Sequence, residues 1–386
     1  MTPSTLETAR RLHGLVQSDI RRMTRECDLA GGINLGQGIC ALPTPPLVRD
    51  GAIAAIRAGK SIYSYPEGIL ELRQAIAAKL ERKNGLRADP LREILVTVGA
   101  SGAFTAALHA LLDPGDGILI PEPYYGYHLN AAILGGLEPH FLELAPPAFE
   151  VREDELCAAL RPSTRAVVVC TPSNPSGKMW SRAELEALAR VAAERDLLVI
   201  TDEIYEDIVY DGRAHVSPAT VGGLGQRTVT IMGLSKTFSI TGWRLGYAVA
   251  PEWMVRAMTV VNDLFVVCAP TPLQHGVAAG LGAPASFYDE LRAGYARKRE
   301  WICDALDGAG MNPIRPQGAY YVLADVGHLG HASAREAAMA LLERTGVAAI
   351  PGSAFYRGAA GERLLRFCYA CEDDVLREAC RRLRGA

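Results

Sequence analysis

Residues 228–250 read TVTIMGLSKTFSITGWRLGYAVA. Two apolar runs within them, Thr228–Ile231 and Leu245–Val249, predict buried strands. The connection between the runs contains small and hydroxylated residues and one lysine, Lys236. A lysine between apolar segments loses hydration, which favours the neutral amine, and a neutral amine can attack an aldehyde to form a Schiff base. This stretch therefore predicts a sheet with a nucleophilic lysine in a loop that follows one of its strands.

Between about residues 90 and 250, short β-rich runs alternate with helical patterns. One helical pattern, Arg182–Arg195, begins after Ser181, and Glu184 lies three residues further on, which is the spacing of a capping box. Alternating strands and helices predict a mostly parallel sheet, whose ligands bind at the carboxyl ends of the strands. The other predicted elements are the strands Ile94–Val98, Gly117–Pro121, Ala166–Cys170 and Leu197–Thr201 and the helix Gly102–Leu112.

The pattern changes after about residue 283. A long amphipathic segment, Tyr288–Gly308, is followed by two strand-like runs, Gly318–Asp325 and Leu364–Tyr369. A chain of 386 residues exceeds what one hydrophobic core usually supports, so we expect two domains. The predicted domains are a large one over residues 46–283 and a small α+β one formed by residues 1–45 with residues 284–386.

The composition excludes several classes of protein. Hydrophobic residues make up 49% and charged residues 22% of the chain, and the net charge is −3, without the basic excess of a nucleic-acid-binding domain. The amino terminus has no apolar signal-peptide core, and no apolar run approaches the ~20 residues that span a membrane. We therefore expect a cytoplasmic protein without a nucleic-acid or membrane partner. The pair Cys368 and Cys371 has no second pair that would complete a zinc site, so no metal is predicted.

Two further strand ends carry residues suited to binding a ligand. Asp202 follows an apolar run, where its carboxylate either caps a helix or pairs with a pyridine nitrogen. Residues 96–103 read VTVGASGA, a strand that passes through small residues into a helix, whose first amide groups attract an anion. Arg244 is suited to add a charge-assisted contact to the same anion.

Two loops and a third strand add aromatic, amide and basic side chains. Residues 121–127 read PEPYYGY, and their tyrosines either pack in the core or place a ring on a ligand. Residues 171–177 read TPSNPSG, a rigid turn in which Asn174 is suited to donate to a phenolic oxygen. Arg366 lies in a β-run, where an arginine often extends its charged end to the surface.

Together these segments resemble the fold-type I pyridoxal-phosphate enzymes, specifically the class I and II aminotransferases. The resemblance covers about residues 30–375. It implies an α/β fold, in which a large domain has a mostly parallel seven-stranded sheet flanked by helices and a smaller domain is α+β. It also implies a transaminase that moves an amino group from an L-amino acid to a 2-keto acid, through a Schiff base of pyridoxal 5′-phosphate and a pyridoxamine phosphate form. The most specific segments are Ser235–Phe238, Thr241–Gly246, Asp202–Tyr205 and Asn174–Gly177.

The resemblance also implies a role for each candidate residue. Lys236 holds the cofactor and moves a proton, Asp202 pairs with the pyridinium nitrogen, and Tyr205 and Asn174 hydrogen-bond the 3′-oxygen of the ring. Tyr125 stacks on the ring, or its neighbour Tyr124 does if the turn is shifted by one residue. The residues implied to contact the phosphate are Ser101, Gly102, Ala103, Arg244 and, from the other subunit of a homodimer, Tyr63.

For the substrate, the resemblance implies that Arg366 binds the α-carboxylate, with Asn174 and Gly38 beside it. Gly38 ends residues 35–38, LGQG, which resemble the segment that closes over the substrate. The chain departs from the family pattern at Gly233, where a phosphate-contacting Ser or Thr is common. It departs again after Gly38, where ICALP replaces the common Phe-Pro-Asp-Phe.

Other reactions remain as alternatives at this point. The same fold hosts β-eliminating lyases, synthases, cyclases and oxidases, because they use the same cofactor in the same place. Some transcription regulators carry a similar domain, but about 30 residues before the matching region are too few for a DNA-binding module. No sequence motif supplies a second cation for the substrate, so a neutral, aromatic or sulfur-containing amino donor is preferred.

Overall fold

The computed structural model describes residues 8–12, 15 and 19–385. In these residues the chain forms twelve α-helices and thirteen strands, together with short 3₁₀ turns and one π-helical turn. The helices are α1 Asp19–Leu29, α2 Pro46–Arg57, α3 Leu70–Lys79, α4 Gly99–Leu111, α5 Gly126–Leu134, α6 Glu153–Ala159, α7 Arg182–Glu194, α8 Glu252–Val266, α9 Thr271–Gly280, α10 Ala285–Gly308, α11 Ala334–Thr345 and α12 Asp373–Arg384. The strands are β1 Ile33–Asn34, β2 Ile94–Val98, β3 Gly117–Glu122, β4 Glu138–Glu143, β5 Thr164–Cys170, β6 Leu198–Asp202, β7 Thr228–Gly233, β8 Leu245–Val249, β9 Asn312–Ile314, β10 Tyr321–Asp325, β11 Val347–Ala348, β12 Ile350–Pro351 and β13 Leu364–Cys368.

The central sheet contains seven of the described strands, in the order β2-β8-β7-β6-β5-β3-β4. β8 runs antiparallel to both of its neighbours, and every other pair in this sheet is parallel. The inner strands are apolar and almost completely buried, as parallel strands covered by helices on both faces must be. The predicted α/β class with a mostly parallel seven-stranded sheet is therefore confirmed.

Strand β4 is the member of this sheet that the sequence patterns did not locate. Its residues, EPHFLE, alternate between exposed and buried side chains and include Pro139. The strand lies at the edge of the sheet, where a proline is tolerated because one side of the strand needs no hydrogen-bond partners. An edge strand with a glutamate at each end has no continuous apolar run, so the signal that located the inner strands is missing.

Two helices show how well local signals predict where a helix begins. Helix α7 starts with the predicted capping box: the Ser181 hydroxyl accepts from the Glu184 amide at 3.3 Å, and the Glu184 carboxylate accepts from the Ser181 amide at 2.7 Å. Such a cap stabilises a helix by about 1 kcal/mol. Helix α4 begins at Gly99, ahead of its predicted start at Gly102, because Gly99 has a φ of +71° and turns the chain directly from β2 into the helix.

A second, antiparallel sheet has the order β12-β13-β10-β9 and packs against α10 and α11, and α12 packs against α10. Near it, β1 pairs in parallel with β11, so that Ile33 lies opposite Val347. This pairing joins the amino-terminal segment to the carboxyl-terminal part of the chain. The domain boundaries at residues 46 and 283 remain a prediction.

Within the part of the chain that the structure describes, no helix combines the length and the apolar character needed to cross a membrane. In the same residues, no group of three or more His, Cys, Asp or Glu side chains is arranged to hold a metal ion. All nine cysteines are free thiols. Cys368 is buried and Cys371 is half-buried.

Candidate active site

A cavity of about 470 Å³ lies beside the carboxyl ends of β5, β6 and β7. Its volume is typical of a site for a small molecule. Gly102, Ala103 and Tyr63, which were also predicted for the site, are described by the structure but do not line this cavity. The predicted residues that do line it are Gly38, Ser101, Tyr125, Asn174, Asp202, Tyr205, Lys236, Arg244 and Arg366.

Lys236 follows β7 and extends its amine into the cavity. The Nζ atom donates to the Gly38 carbonyl oxygen at 3.3 Å and lies 5.7 Å from the centre of the Tyr320 ring and 6.0 Å from that of Tyr205. Burial lowers the pKa of Lys236 below its usual value of 10.5. A larger share of this amine is therefore neutral near pH 7 than of an exposed lysine, which makes it the better nucleophile.

Asp202 ends β6, and its carboxylate contacts a histidine that the sequence did not indicate. Asp202 Oδ2 lies 3.0 Å from His128 Nε2, and Oδ1 accepts from the Ile204 amide at 3.3 Å. The imidazole packs against Phe104, with ring centres 4.5 Å apart, and meets Tyr125 edge-on at 5.3 Å. His128 comes three residues after Tyr125 near the start of α5, and this spacing on one helix face was the available signal.

Tyr205 and Tyr321 meet at the opposite wall, with their hydroxyl oxygens 3.0 Å apart. Burial raises the pKa of Tyr205 well above its usual range, so its hydroxyl stays protonated and able to donate. Tyr321 begins β10 and was not predicted. Gly38 passes close to it: a Cβ atom built on Gly38 would lie 2.0 Å from the Tyr321 hydroxyl. Any larger residue would therefore push the amino-terminal segment off this wall.

Arg366 is 1% exposed, so the surface-directed conformation considered for it does not occur. Its Nη1 donates to Asn174 Oδ1 at 2.8 Å, and its Nη2 donates to the Gly36 carbonyl oxygen at 2.6 Å. The guanidinium lies 4.4 Å from the centre of the Tyr321 ring and 4.7 Å from that of Phe355. No carboxylate among the described residues forms an ion pair with it, and its buried Nε has no hydrogen-bond partner there. A buried cation satisfied only by neutral oxygens favours an anionic ligand.

At the far end, the first turn of α4 and Arg244 border the cavity. Ala100 and Ser101 line it, whereas the Ala103 side chain is fully buried in the core beneath the helix. Arg244 has a φ of +55° and donates from Nη1 to the Thr241 carbonyl oxygen at 3.0 Å. Its guanidinium approaches Gly99 so closely that a Cβ atom there would lie 2.6 Å from Nη2. Helix amides and a guanidinium thus converge, an arrangement suited to a phosphate.

The mouth of the cavity is bordered by the amino-terminal segment. Ile20 and Arg21 of α1 line it together with Ile39 and Tyr127. Among the described residues Arg21 has neither an ion-pair nor a hydrogen-bond partner, so it adds a cation to the mouth that no motif had indicated. The preference for a neutral amino donor depended on the lack of such a cation, and the position of Arg21 removes that support.

A sequence model of the family described as aminotransferase class I and II matches residues 30–383. The chain belongs to this aminotransferase family. The resemblance stated from the sequence is thereby confirmed, and transamination is favoured over the lyase, synthase, cyclase and oxidase reactions.

Relatives of this aminotransferase match along nearly their whole length. The aromatic-amino-acid aminotransferase 2 of Thermococcus litoralis is 36% identical over 384 residues, which cover 97% of this chain and 96% of the relative. The aspartate aminotransferase of Pyrococcus abyssi is 37% identical over 377 residues, covering 95% and 94%. The solved N-succinyldiaminopimelate aminotransferase of Mycobacterium tuberculosis superposes with a TM-score of 0.95 at 34% identity and covers 98% of this chain and 100% of that one. Because these names refer to different amino donors, they identify the reaction rather than the substrate side chain.

Proposed function

We propose that this aminotransferase binds pyridoxal 5′-phosphate in the 470 Å³ cavity and there transfers the amino group of an L-amino acid to a 2-keto acid. The observation that carries the proposal is the meeting of three groups in one cavity: the half-buried Lys236 amine, the buried Asp202 carboxylate and the buried Arg366 guanidinium. Each matches a different part of the cofactor or the substrate.

The residues fit the cofactor at four points. The Lys236 amine suits its aldehyde, and Asp202, held by His128, suits the ring nitrogen. The start of α4 and Arg244 suit the phosphate, and the close approach of Arg244 to Gly99 leaves room there for backbone and guanidinium but for no side chain. Tyr205 is suited to donate to the phenolic oxygen, since burial keeps its hydroxyl protonated.

When bound, pyridoxal phosphate supplies an aldehyde that accepts the amino group and a ring that withdraws electrons from Cα. The side chains divide the remaining work. Arg366 orients the substrate carboxylate with its planar guanidinium, which makes two parallel hydrogen bonds to a carboxylate. The Lys236 amine would take the proton from the substrate Cα and deliver it to the cofactor carbon C4′. The anionic Asp202 keeps a proton on the ring nitrogen, and Gly38 and Ile39 limit the access of water.

The half-reaction with the amino donor alone tests this function. We expect one keto acid to form per Lys236, with the amino group retained on the protein until a 2-keto acid is added. Donors from dicarboxylic, aromatic and sulfur-containing amino acids are compared, and the keto acid and free ammonia are both quantified. Release of ammonia in each turnover, or uptake of oxygen, would contradict transamination.

We also propose a homodimer with shared sites. Tyr63 is 79% exposed, and its neighbours Ile62 and Tyr65 are similarly exposed. The Asn262 side chain donates to the Pro66 carbonyl oxygen at 3.0 Å, which brings this loop beside the end of α8, where more apolar side chains are exposed. Exposed apolar patches of this kind usually mark an interface. A second copy covering the patch would bring its Tyr63 toward the proposed phosphate site of the first copy, whose cavity the first copy's own Tyr63 does not line.

Complementation between two inactive variants measures this sharing. When Lys236→Ala and Tyr63→Ala chains are co-expressed with different tags, we expect about one quarter of the wild-type activity in the mixture, because half of randomly formed dimers are mixed and each mixed dimer has one intact site. The control is a mixture of the two variants that were expressed and purified separately, under conditions in which their subunits do not exchange. A monomer in sedimentation, or no regained activity in purified mixed dimers, would rule out the shared site.

A cytoplasmic location completes the proposal. All nine cysteines are free thiols, as is usual in a reducing compartment.

A further inference from the structure

A buried polar network behind the cavity joins the loop of Lys236 to the segment that carries Asp202 and Tyr205. The Thr237 hydroxyl donates to Asp207 Oδ2 at 2.7 Å, and both residues are at most 3% exposed. Thr237 directly follows Lys236, and Asp207 comes two residues after Tyr205. One hydrogen bond therefore connects the two segments that place the amine and its partners.

The adjacent Glu206 ties the same segment to a helix on its other side. Its carboxylate forms an ion pair with Lys79 and accepts from Asn84 Nδ2 at 2.6 Å, and Lys83 forms an ion pair with Asp207. Burial by itself raises the pKa of Glu206, but Lys79 and Lys83 outweigh it and lower that pKa to about 2. Both carboxylates are buried and each is met by a cation, Lys79 in the interior and Lys83 at a partly exposed position. Removing one partner of a buried ion pair is strongly unfavourable. The segment has little freedom to shift.

The helix can make these contacts because its winding changes. Helix α3 ends at Lys79 and continues as a π-helical turn, Leu80–Asn84. In an α-helix, side chains five residues apart point in directions roughly 140° apart, so Lys79 and Asn84 would not reach the same carboxylate. The i→i+5 pattern of a π-turn brings residues four and five apart onto one face. Lys79, Lys83 and Asn84 therefore face Glu206 and Asp207 together.

We propose that Thr237 is a positioning residue for Lys236, held in place through Asp207 by the π-helical turn. This inference rests on the proposed function, in which Lys236 is the attachment point and the base. Thr237 and Asp207 do not line the cavity, so any effect of theirs on the reaction is indirect, through the Lys236 loop and the Asp202–Tyr205 segment that their hydrogen bond joins. Without the hydrogen bond the loop gains freedom, and the amine gains access to water.

The variant Thr237→Val removes the hydroxyl and keeps the shape of the side chain. We expect kcat to fall about tenfold, with KM changed less than twofold, because a misplaced base slows proton transfer more than it weakens binding. In the full chain without cofactor, the pKa of Lys236 should rise by about one pH unit as its hydration increases, measured from the pH dependence of its acetylation by acetic anhydride. Thr237→Ser, which keeps the hydroxyl, should restore both values.

Thr230→Val is the matched control. Thr230 lies on the neighbouring β7, is 1% exposed, and its hydroxyl has no hydrogen-bond partner among the described residues. Lys83→Met serves as a second variant, at a position less buried than Thr237, and should also lower kcat, by about threefold. The inference is overturned if Thr237→Val matches Thr230→Val in kcat and in the Lys236 pKa, or if it lowers only the melting temperature. Borohydride labelling of wild-type holoenzyme at Lys236 tests the proposed function separately.

Discussion

Replacement of Lys236 with alanine is expected to lower kcat by at least about 10³-fold, because it removes the side chain proposed both to bond to the cofactor and to move the Cα proton. Among the described residues no other lysine lines the cavity, so no neighbouring amine takes over. The decisive measurement is single-turnover formation of the keto acid at saturating cofactor. It excludes the trivial explanation of weaker cofactor binding.

The control for this variant is Lys60→Ala, which removes an exposed lysine that does not line the cavity. It should retain wild-type turnover. Peptide mapping after borohydride reduction should place the label on Lys236 in the wild type and on no lysine in Lys236→Ala. Label on any other residue of the wild type, or turnover within tenfold of it in the variant, would refute the assigned role.

The second large effect is expected for Asp202→Asn, with kcat reduced about 10²- to 10³-fold. Asparagine has nearly the same shape and can keep the contact with His128, which lies 3.0 Å from the carboxylate. The substitution therefore removes mainly the negative charge that is proposed to keep the ring nitrogen protonated, and with it the electron withdrawal from Cα. Steady-state kcat and the equilibrium affinity for the cofactor are measured together, since the charge contributes to both.

A ring-methylated cofactor separates the charge from other effects of this change. Methylation at the ring nitrogen gives a permanent positive charge, so it should restore part of the kcat of Asp202→Asn. Asp154→Asn, at an exposed site in α6, should behave as the wild type with either cofactor. Equal loss with both forms would mean that Asp202 acts by shape or packing and not by its charge.

Several structural features were predictable because they depend on neighbours in sequence. The apolar runs of β5, β6 and β7 are long enough to identify buried parallel strands, and the loops after them contain Asn174 and Lys236, with Asp202 at the end of β6. Residues at the carboxyl ends of parallel strands converge at one sheet edge, so their meeting in a single cavity followed from chain order. The capping box of α7 was predictable for the same local reason.

Other features depend on how distant segments pack. His128 is an ordinary residue of α5 until the fold sets it against Asp202, and Tyr321 reaches Tyr205 only because two sheets meet. Arg21 acquires its place at the cavity mouth from the packing of α1 beside β1 and β11. No local pattern signals such contacts, since each partner would suit many surroundings.

By itself the sequence determined the α/β class, the succession of strands along the chain whose ends carry Lys236, Asp202 and Asn174, and membership of the aminotransferase family. Only the tertiary structure decided that Arg366 is buried among neutral oxygens and that a π-helical turn faces Glu206 and Asp207. The physical reason is the sequence separation over which each kind of interaction acts. Strand and helix signals arise from residues a few positions apart, whereas the burial of a charge and the choice of its partners depend on which remote segments the folded core brings together.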